Sequence, residues 1–144
     1  MTHFKMKAAV HLILNDGDKT LLSLRKNTGY MDGCYGLVAG HMDGGESPMF
    51  AMCREAEEEI GLHVVQKNLI LESTAHILRL NGSEYALWFF SYNLRGKIHN
   101  REPEKCASLE WVDPRYLPLN TVSYVREVLT TRLTYYEWNE RHWA

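Results

Sequence analysis

The stretch Gly40–Leu62, GHMDGGESPMFAMCREAEEEIGL, decides how the chain reads. Pro48 suits a first helical position, where its missing N–H costs nothing, and Gly61 stands where a helix would stop by taking a positive φ. Glu46 and Ser47 lie just ahead, placed to satisfy the free N–H groups of the first turn. On a helix over residues 48–60, Glu55, Glu58 and Glu59 share one face within about 100° of arc. Met49, Cys53, Ala56 and Ile60 gather opposite, while Glu57 points away as an ordinary solvated residue. Like charges at these spacings destabilise a helix, so stability alone does not account for the pattern. A hard divalent cation, Mg²⁺ or Mn²⁺, held by the carboxylate oxygens would relieve the repulsion. The competing reading is a solvated acidic face, which glutamate runs commonly form.

Outside this stretch, composition excludes more than it selects. A chain of 144 residues is expected to form a single domain over 1–144 with a real core. Its 45% hydrophobic and 24% charged residues are ordinary for a globular protein, and a net charge of −2 argues against broad nucleic-acid or membrane-surface binding. No apolar run approaches the roughly 18 residues of a membrane span, and the basic-then-apolar start lacks a small-residue cleavage site. Cys34, Cys53 and Cys106 are odd in number and show no C-x-x-C pairing, which favours free thiols in a reducing, cytoplasmic setting. The histidines contain no H-E-x-x-H, against a zinc hydrolase. Asp16 and Asp18 do not begin a calcium loop, since Leu21 and Asn27 occupy the positions of its glycine and final glutamate.

Residues 4–14 and 20–26 read as strands around the polar turn Asn15-Asp16-Gly17-Asp18. Arg25 ends the second and is a candidate to reach a phosphate, with solvation of a sheet edge the alternative. A polar loop, Asn27 to Cys34, leads to a short buried strand at 35–38. Tyr30 and Tyr35 are candidates for stacking on a nucleobase, with core packing the alternative for Tyr35. Further strands are expected at 62–66, 69–80, 85–95 and 108–112, with Asn81-Gly82 as a hairpin turn. Trp88, Phe89 and Phe90 read as core. A polar loop at 96–107 carries Glu102 and Glu104, and a final helix is expected from Thr121, capped by Thr121 or Asn120, to about Tyr136. Periodicity alone supports α/β or α+β.

The spacing G-x5-E-x7-R-E-U-x-E-E-x-G-U, met by Gly40, Glu46, Arg54, Glu55, Ala56, Glu58, Glu59, Gly61 and Leu62, resembles the signature of the Nudix hydrolases. The one departure is Ala56, where the pattern asks for a bulkier aliphatic residue. The resemblance implies an α/β fold of Nudix type, an α/β/α sandwich with a mixed sheet, in which the signature forms loop–helix–loop. It also implies divalent-metal-dependent hydrolysis of a diphosphate linkage in a nucleoside triphosphate or related nucleoside diphosphate derivative, with water attacking phosphorus. By resemblance Glu55 and Glu59 bind metal, Glu58 does so directly or through water, and the Ala39 carbonyl completes the set. Arg54 orients the glutamates, and a general base lies on the loop after the long hairpin, where Glu104 is preferred to Glu102. The short chain favours the triphosphate pyrophosphohydrolase branch. The alternatives are an ADP-ribose, nucleotide-sugar or dinucleotide pyrophosphatase, a non-catalytic nucleotide-binding module, and an isopentenyl diphosphate isomerase-like enzyme, for which Cys34 and Cys106 have no obvious match. The expected partner is a small nucleotide, with the oligomeric state left open, a homodimer included.

Overall fold

In the computed structural model, which describes residues 2–143, the strand Lys7–Asp16 (β1) is the centre of an eight-stranded mixed sheet. Along one edge it runs parallel to Glu84–Asn93 (β6), paired from Lys7 with Tyr85 to Asn15 with Asn93. Beyond β6 lie the antiparallel Ile70–Leu78 (β5) and then Tyr135–Asn139 (β8), parallel to β5. The other edge of β1 is shared. Lys19–Arg25 (β2) pairs with it only at Asn15 and Asp16, while Val38–His41 (β4) pairs with Ala9 to Leu12. β2 instead carries Tyr35–Gly36 (β3) and Cys106–Val112 (β7). The sheet therefore forks where β2 leaves β1, and both cavities described below lie in this region.

Successive side chains of a strand face opposite ways, and β1 uses both faces. Val10, Leu12 and Leu14, with Phe90 and Tyr92, pack on Ala51, Met52, Ala56 and Ile60 of the helix Pro48–Ile60 (α1). Ala9 and Ile13, with Leu87 and Phe89, pack on Tyr124, Val125 and Val128 of the helix Ser123–Thr131 (α2). A helix on each face of a mixed sheet is the expected α/β/α sandwich.

The ends of α1 follow from its sequence. Ser47 Oγ accepts a hydrogen bond from Phe50 N–H at 3.2 Å, and Gly61 ends the helix at φ 65°. Met49 and Cys53 only flank the core, which Ala51 and Met52 enter instead. Three expectations fail. Residues 62–66 join no strand, although Leu62 and Val64 are buried. The last helix stops at Thr131, with Arg132 left-handed at φ 55°, and the following residues form β8. Val122 is its first cap, without a side-chain bond, because Thr121 Oγ1 donates to the Pro118 carbonyl. The three cysteines are free, and among the described residues no helix is long and apolar enough to cross a membrane.

Candidate active site

Arg54 is the hub of the acidic helix face. Its Nη1 donates to Glu55 Oε1 at 2.8 Å and to Glu58 Oε2 at 3.2 Å. Its Nε and Nη2 clamp the two oxygens of Glu46 at 3.1 and 2.7 Å, and Nη2 also reaches the His41 carbonyl at 3.0 Å. The planar fork holds three carboxylates and the strand leading into the loop in one arrangement. Arg54 thus relieves part of the repulsion on this face, for Glu55 and Glu58. The guanidinium holds Glu46 below the usual carboxylate range, whereas burial pushes Glu55 up despite Arg54.

Glu59 is not so served. Burial, reinforced by the charges of Glu55 and Glu102, pushes its carboxyl up to about 9, opposed by the Ala39 amide and Arg25. It does not face open solvent, for its Oε2 is enclosed and has no hydrogen-bond partner. Gly40 supplies the other special contact. A Cβ there would lie 2.1 Å from the Glu55 carboxyl carbon, so the carboxylate rests directly on the glycine backbone. All donors on this face are oxygens, and one enclosed oxygen lacks a partner; the residues fit a hard divalent cation. Among the described residues no three acidic, histidine or cysteine side chains are already gathered around one point. That is compatible with Mg²⁺, which keeps several waters and takes substrate phosphate oxygens instead of an all-protein cage.

These glutamates line a cleft of ≈ 660 Å³, shared with Arg25, Ala39 and Glu102. The loop bearing Glu102 is tied to the end of α1: His99 N–H donates to the Ile60 carbonyl and Arg101 N–H to the Glu59 carbonyl, both at 3.0 Å. Arg101 Nη1 adds bonds to the carbonyl of Glu57 at 3.2 Å and to its carboxylate at 3.1 Å. Glu104 is exposed and does not line the cleft, and its carbonyl accepts from Asn27 Nδ2 at 3.2 Å. A turn closed by Lys105 N–H to the Glu102 carbonyl at 2.9 Å separates the two glutamates.

A second cavity, ≈ 460 Å³, opens on the α2 side and shares Arg25, Thr28, Ala39, Gly40 and His41 with the cleft. Tyr30 stands in its wall with the Arg79 guanidinium 3.7 Å from the ring centroid, and Arg25 Nε bonds the Tyr30 carbonyl at 2.7 Å. Tyr35 borders neither cavity; its amide donates to the Asn120 carbonyl and its carbonyl accepts from Val122 N–H, both at 2.8 Å, and its ring packs on the α2-side core. His11 and Arg79 line this cavity and escaped the sequence reading. A histidine inside the apolar run AAVHLIL was the available signal for the first; nothing local marks the second.

A family model, the NUDIX domain, matches residues 5–131. The MutT NUDIX hydrolase of Burkholderia pseudomallei is 24% identical, the match covering 88% of this chain and 97% of that one, with a TM-score of 0.80. The MutT protein of Methanosarcina mazei Go1 is 16% identical over 92% and 96%, with a TM-score of 0.78. A bifunctional NMN adenylyltransferase/ADP ribose pyrophosphatase of Francisella tularensis, complexed with AMP and a Mn ion, is 14% identical over 88% of this chain and 41% of that one, at 0.64. At these identities the structures speak to the fold alone.

Proposed function

The chain belongs to the Nudix family and is a Nudix hydrolase, and from that premise we propose that residues 1–144 act as one Mg²⁺-dependent unit that hydrolyses nucleoside triphosphates to a monophosphate and pyrophosphate. The observation that carries this reading is the enclosed, unpartnered Glu59 oxygen beside Glu55 and Glu58, in a cleft continuous with a cavity of nucleoside size walled by aromatic and arginine side chains. Mn²⁺ serves as the alternative ion, in keeping with the Mn ion of the Francisella tularensis protein.

Glu55, Glu58 and Glu59, with the Ala39 carbonyl, would hold the cation. When bound, it neutralises phosphate oxygens and lowers the pKa of water. Arg54 fixes the rotamers of Glu55 and Glu58, so the ligand charges are in place before substrate arrives. Arg25, common to both cavities, is the residue placed to meet a phosphate where they join. Glu102 takes the proton of the attacking water. As the new oxygen–phosphorus bond forms, the anhydride bond breaks, and its electron pair leaves on the bridging oxygen with pyrophosphate.

The test is product analysis with Mg²⁺ across nucleoside triphosphates, ADP-ribose, dinucleoside polyphosphates and NADH. Monophosphate and pyrophosphate from triphosphates are expected; preferential cleavage of ADP-ribose or a dinucleotide would replace this substrate assignment.

A further inference from the structure

The loop that brings Glu102 to the cleft leans on the end of α1. The backbone N–H groups of His99 and Arg101 fill two of the carbonyls that a helix leaves free at its C-terminus. The His99 ring lies against Gly61, where a Cβ would meet its Cε1 at 2.5 Å. These contacts fix residues 99 and 101 but do not reach Glu102 itself. Glu102 lines the cleft, and its charge helps to raise both Glu55 and Glu59, so its carboxylate looks onto the acidic face.

Asn100 supplies the remaining support. Half-buried between the two anchors, it accepts Glu102 N–H on Oδ1 at 3.1 Å, the two-residue turn that this side chain favours. Its Nδ2 donates to the Cys106 carbonyl at 2.8 Å. Cys106 is the first residue of β7 and pairs with Arg25 of β2, so that carbonyl belongs to the sheet. Its thiol is held as well, receiving Ser23 Oγ at 3.1 Å and donating to the Ser108 carbonyl at 3.2 Å. The Glu102 carbonyl in turn accepts Lys105 N–H and Cys106 N–H, both at 2.9 Å. One amide therefore ties the start of the turn 102–106 to its end. Asparagine supplies both an acceptor and a donor at this length; aspartate lacks the donor, and alanine lacks both.

We propose that Asn100 is a positioning residue for the general base: its amide bridge between Glu102 N–H and the Cys106 carbonyl sets where the Glu102 carboxylate meets the attacking water. The inference rests on the assignment of Glu102 as base above. A base must lie within hydrogen-bond reach of the proton it takes, so a turn of the Glu102 backbone carries the carboxylate off that point. Asn100 lines neither cavity, and so acts through Glu102 and not on the substrate.

A double-mutant cycle in the Mg²⁺-loaded enzyme tests this. Asn100→Ala should lower kcat by roughly 10–100-fold with KM for the cleaved nucleotide nearly unchanged, a loss no larger than that of Glu102→Gln. In the Glu102→Gln background the same substitution should cost less than about twofold, since the group it positions is already gone. A full loss in that background, or an Asn100→Ala enzyme as fast as wild type, overturns the proposal and leaves Glu102 as base. Glu102→Gln at the wild-type rate overturns the base assignment, and the positioning role with it. If Asn100→Ala does not fold, Asn100→Ser, which keeps an acceptor for Glu102 N–H but is too short to reach Cys106, carries the same cycle. Amide hydrogen exchange in EDTA reads the bridge without activity: Asn100→Ala should speed exchange at Glu102 and Cys106 and leave β1 unchanged. Unaltered exchange at Glu102 would overturn the proposal.

Discussion

Replacing Glu59 by glutamine separates what this side chain does for folding from what it does for catalysis. Without a cation its carboxyl titrates near 9 in the folded protein against 4.5 when solvated. A raised carboxyl pKa means that between those values the unfolded chain has released the proton and the folded one has kept it. Folding stability therefore falls as pH rises through this window, by about 1.4 kcal/mol per pH unit. By pH 7 the loss reaches at most ~3 kcal/mol, less whatever solvent reaches the half-buried residue. Glu59→Gln carries no such proton. In EDTA, urea denaturation should find variant and wild type alike near pH 4.5, with the variant gaining on the wild type up to ~3 kcal/mol by pH 7. His11 pulls the other way at acid pH: its folded pKa of about 3 against 6.5 removes stability from both proteins as pH falls below 6.5, and cancels in the difference. Added Mg²⁺ should stabilise the wild type more than the variant, and the variant should lose most turnover although it is the more stable protein. A stability difference independent of pH would mean that Glu59 is solvated and ionised, and would refute the argument from its burial.

Two further substitutions probe the cleft. Glu102→Gln should lower kcat by about 10²–10⁴, as loss of a general base does, while Glu104→Gln stays near wild type; the reverse order in a steady-state assay would restore Glu104 as the base. Gly40→Ala places a Cβ 2.1 Å from the Glu55 carboxyl carbon, and the displaced carboxylate should cost roughly 100-fold in kcat with the thermal transition retained. Wild-type activity in that variant would show that Glu55 need not lie against the glycine.

The parts of the fold that were legible in the sequence are those fixed by local chemistry. Pro48, Ser47 and Gly61 delimit α1 because capping and positive φ are properties of single residues in their own turn. The near-continuous apolar run of β1 likewise reads as a strand. What could not be read depends on distant partners. The apolar spacing of Val125, Leu129 and Leu133 continues past Thr131, but Arg132 turns left-handed and Tyr135 to Asn139 pair with β5; β-forming Tyr135, Tyr136 and Trp138 were the competing local signal. Leu62 and Val64 are apolar because they are buried, not because they join a ladder. Within the site, Glu102 and Glu104 are chemically equal neighbours, and only the bonds from His99 and Arg101 to the end of α1 distinguish them. Tyr30 and Tyr35 both pack on the α2-side core, and what separates them is Arg79, far along the chain, whose guanidinium lies over the ring of the first.

The central claim, a divalent cation on the Glu55–Glu58–Glu59 face supporting hydrolysis of a diphosphate bond, is tested most directly by following pyrophosphate release from nucleoside triphosphates through EDTA treatment and titration back with Mg²⁺. Turnover should vanish with chelation and return saturably with Mg²⁺ in the wild type, and fail to return in Glu59→Gln. Turnover that survives chelation, or that Mg²⁺ restores equally in both proteins, would contradict it.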